Sequence, residues 1–268
     1  MIQKIAYKRE NIMEKSNFIR QFEDFGIKMY ILAILSVISI FTGGFIQLAI
    51  FIIMLLSLRD IKDANLELKN EKLEKFRKYI IYAVIVGIVG ALMIMIIVIM
   101  VVILFISALP GFTFSAPLTV SEFQQIAPLI KILLFILLGG FPVGVVALEL
   151  LMIAWKNFQM FLESNSALFP NTVAAKTIGG SAKIKNSYLY LLILLIIGAV
   201  LVLITIFIFP QIEALIIEYI EGTIPSIESL GGLIVAFAIP GIMIAILGIV
   251  SFILMIIGYF KLSELKHL

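Results

Sequence analysis

The chain has 268 residues, of which 62% are hydrophobic and only 14% charged, with a mean hydropathy of +1.18. A water-soluble globular domain, nearer half apolar and about a quarter charged, is excluded. The absence of cysteine removes disulfides, thiolate metal sites and thiol nucleophiles, and a net charge of +3 is too small to suggest nucleic acid.

Ile12, Phe18, Ile19, Phe22 and Phe25 recur at helical spacing. They predict an amphipathic helix over 11–26, within a cytoplasmic or interfacial segment 1–26, lying on the membrane surface. The segment lacks the apolar core of a secretory signal. Two short apolar stretches follow, 27–43 and 45–59, joined by a tight Gly43-Gly44 turn. Segment 60–78 pairs acids and bases one turn apart, as in Glu71–Lys75 and Glu74–Lys78, which predicts a solvated, salt-bridged helix.

Residues 79–109 carry no charge and exceed the length at which a membrane-spanning helix is the default reading. The uncharged run 187–209 does the same. Both are apolar on every face, which excludes the alternation of a β-barrel. Between them, Ser121 and Gln124 fit a capping box that opens an outer-leaflet or re-entrant helix near 121–138. Gly139, Gly140 and Pro142 then predict a hinge, after which 141–157 crosses. The second outer connector, 210–238, begins with Pro210 at the first position of an interfacial helix and carries only acids among its charges. The last crossing is 241–260, followed by a short cytoplasmic tail, 263–268.

Cytoplasmic loops are enriched in Lys and Arg. Of the 20 cations, 19 fall in the N-terminal segment, in 59–78, in 156–185 and at the C-terminus. Six crossings with both termini cytoplasmic place all of these inside the cell. Tyr30, Tyr79, Tyr82, Trp155, Tyr188, Tyr190 and Tyr259 then fall near the inner interface, where aromatics concentrate.

The expected fold is therefore all-α: a polytopic membrane protein with a single transmembrane domain, 27–262. "GGFIQLAIFIIMLLSLRD", "GGFPVGVVALELLMIAWKN" and "IPGIMIAILGIVSFILMIIGYFK" each start with a glycine-containing turn and end at a cation or just beyond it. They mark the second arms of three helical hairpins, 27–59, 79–157 and 187–260, the first abbreviated. "LLSLRDIKDAN", "WKNFQMFLESNS" and "LYLLILLIIGAVLVL" resemble domain of unknown function 996, a family of small archaeal and bacterial integral membrane proteins. The resemblance implies a six-helix membrane protein and supplies no functional residue.

Glu149 lies inside the fourth crossing, where an acid is costly and should face protein or a water-filled cavity. A turn centred on Gly140 would set Lys131 opposite Glu149, as an intramembrane pair or an ion or proton site. Ala83, Gly87 and Ala91, and likewise Gly241 and Ala245, form small-residue faces for close helix packing; Ala33, Ser36 and Ser39 do so in the first crossing. "TIGGSAK" (177–183) lacks the spacing of a phosphate-binding loop.

No constellation of nucleophile, base and electrophilic helper is present, so no enzymatic activity, catalytic residue, metal site or cofactor is expected. The expectation is a non-catalytic scaffold or accessory subunit of the cell membrane. Its partners would be the lipid bilayer, anionic lipid at the basic inner surface, and a membrane-protein partner or a second copy of the chain. A small-solute, ion or proton transporter or channel using Glu149 is the alternative.

Overall fold

A computed structural model describes residues 2–42, 45–108, 119–223 and 227–268, with side chains described throughout these except 2–16, 45, 108 and 227–230. The Gly43-Gly44 turn and the centre of the first outer connector lie outside the described residues, as does the side chain of Ile12. Among the described residues there is no strand. The order is α1 (Ile2–Thr42), α2 (Phe45–Leu68), α3 (Glu71–Ala108), α4 (Val120–Ser164), α5 (Asn171–Ile220) and α6 (Ile227–Leu262), with 3-10 turns at Ser166–Leu168 and Ser263–His267.

Among the described residues, five stretches are long and apolar enough to cross a membrane: Asn17–Thr42, Glu71–Ser107, Val120–Ser164, Asn171–Ile220 and Gly231–His267. α2 is not among them. Its apolar part, 46–58, is about 20 Å of helix, whereas the hydrocarbon core is about 30 Å thick.

Polar residues set the described helix ends. Lys69 closes α2 in a left-handed conformation, with φ of 46°. The Asn65 side chain accepts from Asn70 N–H at 2.8 Å, and Asn70 in turn caps α3 by accepting from Lys72 N–H at 2.9 Å. The salt-bridged segment expected over 60–78 is thus two helix ends, and its pairs Glu71–Lys75 (2.6 Å) and Glu74–Lys78 (2.5 Å) are present. At the start of α4 the capping box is Thr119/Glu122 rather than Ser121/Gln124. Glu122 accepts from Thr119 N–H at 2.8 Å and from its hydroxyl at 2.6 Å, while Thr119 Oγ1 accepts from Glu122 N–H at 3.3 Å. A carboxylate is the stronger acceptor, and this closes the helix two residues earlier.

The hinge expected at Gly139, Gly140 and Pro142 is not a break: α4 runs unbroken for 45 residues with Pro128 and Pro142 inside it. No separate re-entrant helix exists at 121–138. Similarly, Pro210 does not start a new helix but lies within the 50 residues of α5, and Pro240 lies within α6. A proline inside a helix forfeits one backbone hydrogen bond. A break would orphan up to four N–H and four C=O groups, and in an apolar setting no water is at hand to satisfy them.

The chain divides into two compact units. Unit 1 comprises Met1–Ala83, Leu148–Tyr190 and Ile249–Leu268; unit 2 comprises Val84–Ala147 and Leu191–Gly248.

Unit 1 has an aromatic core. Phe22 stacks on Phe161 at 5.7 Å and meets Phe169 edge-on at 5.3 Å. Phe76 contacts Trp155 at 5.1 Å and Phe158 at 4.7 Å, and Phe25 contacts Phe158 at 5.4 Å. All but Phe169 (4% exposed) are fully buried. The N-terminal aromatics thus pack in a core instead of lying on a membrane surface, and the amphipathic segment and the first apolar stretch form one helix. The C-terminal residues are not a free tail either. Leu265 is fully buried, and α1 packs on the 3-10 turn Ser263–His267. Gly26 permits this, because a Cβ there would overlap the backbone of Leu265 and Lys266.

In unit 2, Phe123, Ile126, Ala127 and Phe209 form a small buried cluster. Most other long side chains of α3 in this unit, such as Ile85, Ile96 and Ile106, are exposed.

Candidate functional site

Lys131 and Glu149 lie 18 positions apart on one unbroken helix, so the turn at Gly140 that the facing geometry required is not there. Lys131 Nζ instead reaches Glu213 Oε2 at 3.4 Å and sits 4.9 Å from the centroid of the Phe209 ring. Both partners lie on α5, in the same unit as Lys131. Glu149 is exposed and has no hydrogen-bond or ion-pair partner among the described residues.

The small-residue faces are also rearranged. Ala83 is buried, but Gly87 and Ala91 are exposed, and a Cβ at Gly87 would meet nothing within 4 Å. The packed residue is Gly90, where a Cβ would overlap Val143. A step of four residues drifts about 40° around a helix and a step of seven only about −20°, so Ala83 shares a face with Gly90 rather than with Ala91. Gly241 and Ala245 are exposed as well, with nothing near a Cβ at Gly241. The close approach of α6 is at Gly258. A Cβ there would lie 2.9 Å from Gly180 O, and one on Gly180 would lie 2.9 Å from Gly258 O. The "IGGS" of "TIGGSAK" is therefore a notch for helix crossing. Of the small residues of α1, Ala33 and Ser36 are buried, and Ser36 Oγ has no hydrogen-bond partner.

The buried polar groups collect in unit 1. Lys28 Nζ donates to Asp60 Oδ2 at 2.5 Å. Burial raises the Asp60 carboxyl above the ordinary aspartate range, and the Lys28 ammonium opposes that shift without cancelling it. Arg59 and Asp63 make a looser contact at 3.8 Å. Tyr188 and Tyr259 are buried close enough for their hydroxyls to interact. Beside them the Trp155 indole Nε1 is buried without a hydrogen-bond partner of good geometry. Ser251 Oγ, on α6, donates across to Ser187 O on α5 at 2.9 Å.

Spacing was available to find part of this. Phe18, Phe22 and Phe25 step by four and three, as do Phe76, Ile80 and Ala83, and Trp155, Phe158, Phe161 and Leu162 follow the same helical stripe. The first stripe reads from the sequence as a membrane-surface face rather than a core face; the other two lie beside Lys or Arg, and the charges hid them.

Among the described residues no group of three or more His, Asp or Glu is placed to hold a metal ion. No protein-family model, curated protein or solved structure matches the chain, and the resemblance to domain of unknown function 996 gains no support from them.

Proposed function

We propose that this chain is a non-catalytic, multi-pass protein of the cell membrane, a scaffold or accessory subunit that holds an aromatic-cored helical unit at the cytoplasmic face. The observation that carries the reading is the segregation of charge. Of the 20 cations, 19 belong to unit 1, and the cation-bearing ends of α1, α3, α4 and α5 meet in its shared core. The gathering of these basic ends in one unit supports an even number of passes between them, with both termini on the basic, cytoplasmic side. α3, α4, α5 and α6 supply four passes, and α1 with α2 forms the abbreviated first hairpin.

The apolar interval 186–212 of α5 is about 40 Å of helix, enough for the hydrocarbon core of about 30 Å. The Lys131–Glu213 pair then falls at the outer interface. A transporter or channel reading would need a second polar group facing Glu149. Glu149 has no bonded partner among the described residues, and this favours the scaffold.

Reconstitution tests the choice. Proteoliposomes under a pH gradient or a cation gradient should leak no faster than protein-free vesicles, and Glu149→Gln should leave the rate unchanged. Flux that Glu149→Gln abolishes would establish the transporter instead. Single cysteines at 121, 166 and 220, in a chain that has none of its own, give the topology. An impermeant thiol reagent outside the cell should label 121 and 220 but not 166.

A further inference from the structure

Lys183 and Lys261 flank one notch of α5. A Cβ at Gly179 would lie 3.6 Å from Lys261 Nζ, and one at Gly180 would lie 2.9 Å from Lys261 Cβ. Lys261 thus reaches across α5 over the glycine pair. Lys183 is one turn beyond Gly179 on the same face, and helical side chains lean toward the N-terminus, over the preceding turn. Its ammonium can therefore reach back to the same notch.

Both lysines are partly buried, and neither has an acidic partner among the described residues. The neighbouring groups are otherwise engaged. Glu264 accepts from Lys176 at 3.0 Å, and Gln159 accepts from Lys185 at 3.3 Å. Lys28, Lys75 and Lys78 all hold a carboxylate, whereas Lys183 and Lys261 have none. Two ammonium groups within reach of one notch, neither with an acidic partner among the described residues, can share an anion between them.

The surroundings select the anion. Lys261 ends the apolar run of α6, and Lys183 lies just before that of α5. Tyr190, partly exposed at the start of the apolar run of α5, suits the membrane interface. Ile249, Ile253, Ile257 and Phe260 form an exposed apolar strip on α6 leading to Lys261. We propose that Lys183 and Lys261 bind the phosphate of an anionic phospholipid of the cytoplasmic leaflet, whose acyl chains lie along that strip. Basic recesses between helices at this level suit lipid headgroups. The inference rests on the membrane reading above and gives its lipid partner a site.

Native mass spectrometry of the purified chain, titrated with phosphatidylglycerol or phosphatidylcholine, is the test. Lys183→Gln with Lys261→Gln should weaken phosphatidylglycerol binding about tenfold and leave phosphatidylcholine binding unchanged. The double Arg variant should bind as the wild type does. Lys75→Gln with Lys78→Gln removes the same charge elsewhere in the unit and should have less than about a twofold effect. Equal losses in both Gln pairs, or none in the first, would overturn the site. Displacement of the lipid by millimolar inorganic phosphate would assign the site to a soluble anion and overturn the lipid. Failure of the wild type to enter nanodiscs would sink the membrane reading itself, whereas entry without selectivity would sink only the site.

Discussion

Lys131 pairs with Glu213 on α5, at 3.4 Å, and not with Glu149 on its own helix. The two side chains are 40% and 27% exposed, so solvent screens the pair and its coupling should be small, about 0.5 kcal/mol. A double-mutant cycle with Lys131→Ala and Glu213→Ala, read from thermal unfolding in detergent, should show that coupling. Combined with Glu149→Ala, Lys131→Ala should be additive. Coupling of Lys131 to Glu149 instead of Glu213 would mean that the helix turns at Gly140 after all.

Gly180 and Gly258 let α5 and α6 touch backbone to backbone. Valine at either position should destabilise the chain by about 2–3 kcal/mol, through overpacking against a carbonyl that cannot move aside. Gly87→Ala is the opposite case. With open space around the new methyl, it should be neutral or raise stability by about 0.5 kcal/mol through helix propensity. Melting temperatures of the three variants decide this, and an unchanged Gly180→Val would refute the crossing.

Lys69 holds a conformation that costs a residue with a Cβ about 1 kcal/mol. Lys69→Gly should therefore stabilise the turn between α2 and α3 by somewhat less than that, because glycine also loses more entropy on folding. Slower amide exchange at the start of α3 would be the local sign. A lower melting temperature would show that the lysine side chain has an unrecognised partner.

Asp60 makes stability depend on pH. Its carboxyl is raised in the folded chain above the reference value of 3.8, so the folded state holds the proton more tightly than the unfolded one. Its contribution is fully present below that reference value and is lost as pH rises through the folded value. Asp60→Asn should flatten the stability profile in that window. Lys28→Met, which removes the opposing cation, should widen the window upward and cost about 2–3 kcal/mol at neutral pH. A profile with the opposite slope would mean that Lys28 outweighs burial.

Composition and spacing were enough for some elements and not for others. The uncharged runs 79–109 and 187–209 are apolar on every face, so no environment but lipid or protein suits them, and their helices were legible. The pairs Glu71–Lys75 and Glu74–Lys78 are set by helical spacing alone and were legible too. Gly139, Gly140 and Pro142 were misleading, because a breaker's effect depends on whether water can satisfy the groups it frees.

What the sequence determined by itself was the helical class of the chain, the presence of helices long and apolar enough to cross a membrane, and the gathering of its cations into a few segments. All three follow from transfer energies that each residue carries wherever it stands. Only the tertiary structure decided that those segments share an aromatic core, that Glu213 rather than Glu149 meets Lys131, and that Gly180 and Gly258 rather than Gly87 and Gly241 are the contact points. Such choices depend on the rotation and register of one helix against another. Many faces of an almost wholly apolar helix satisfy the hydrophobic effect equally well, so steric fit between partners far apart in the chain selects among them.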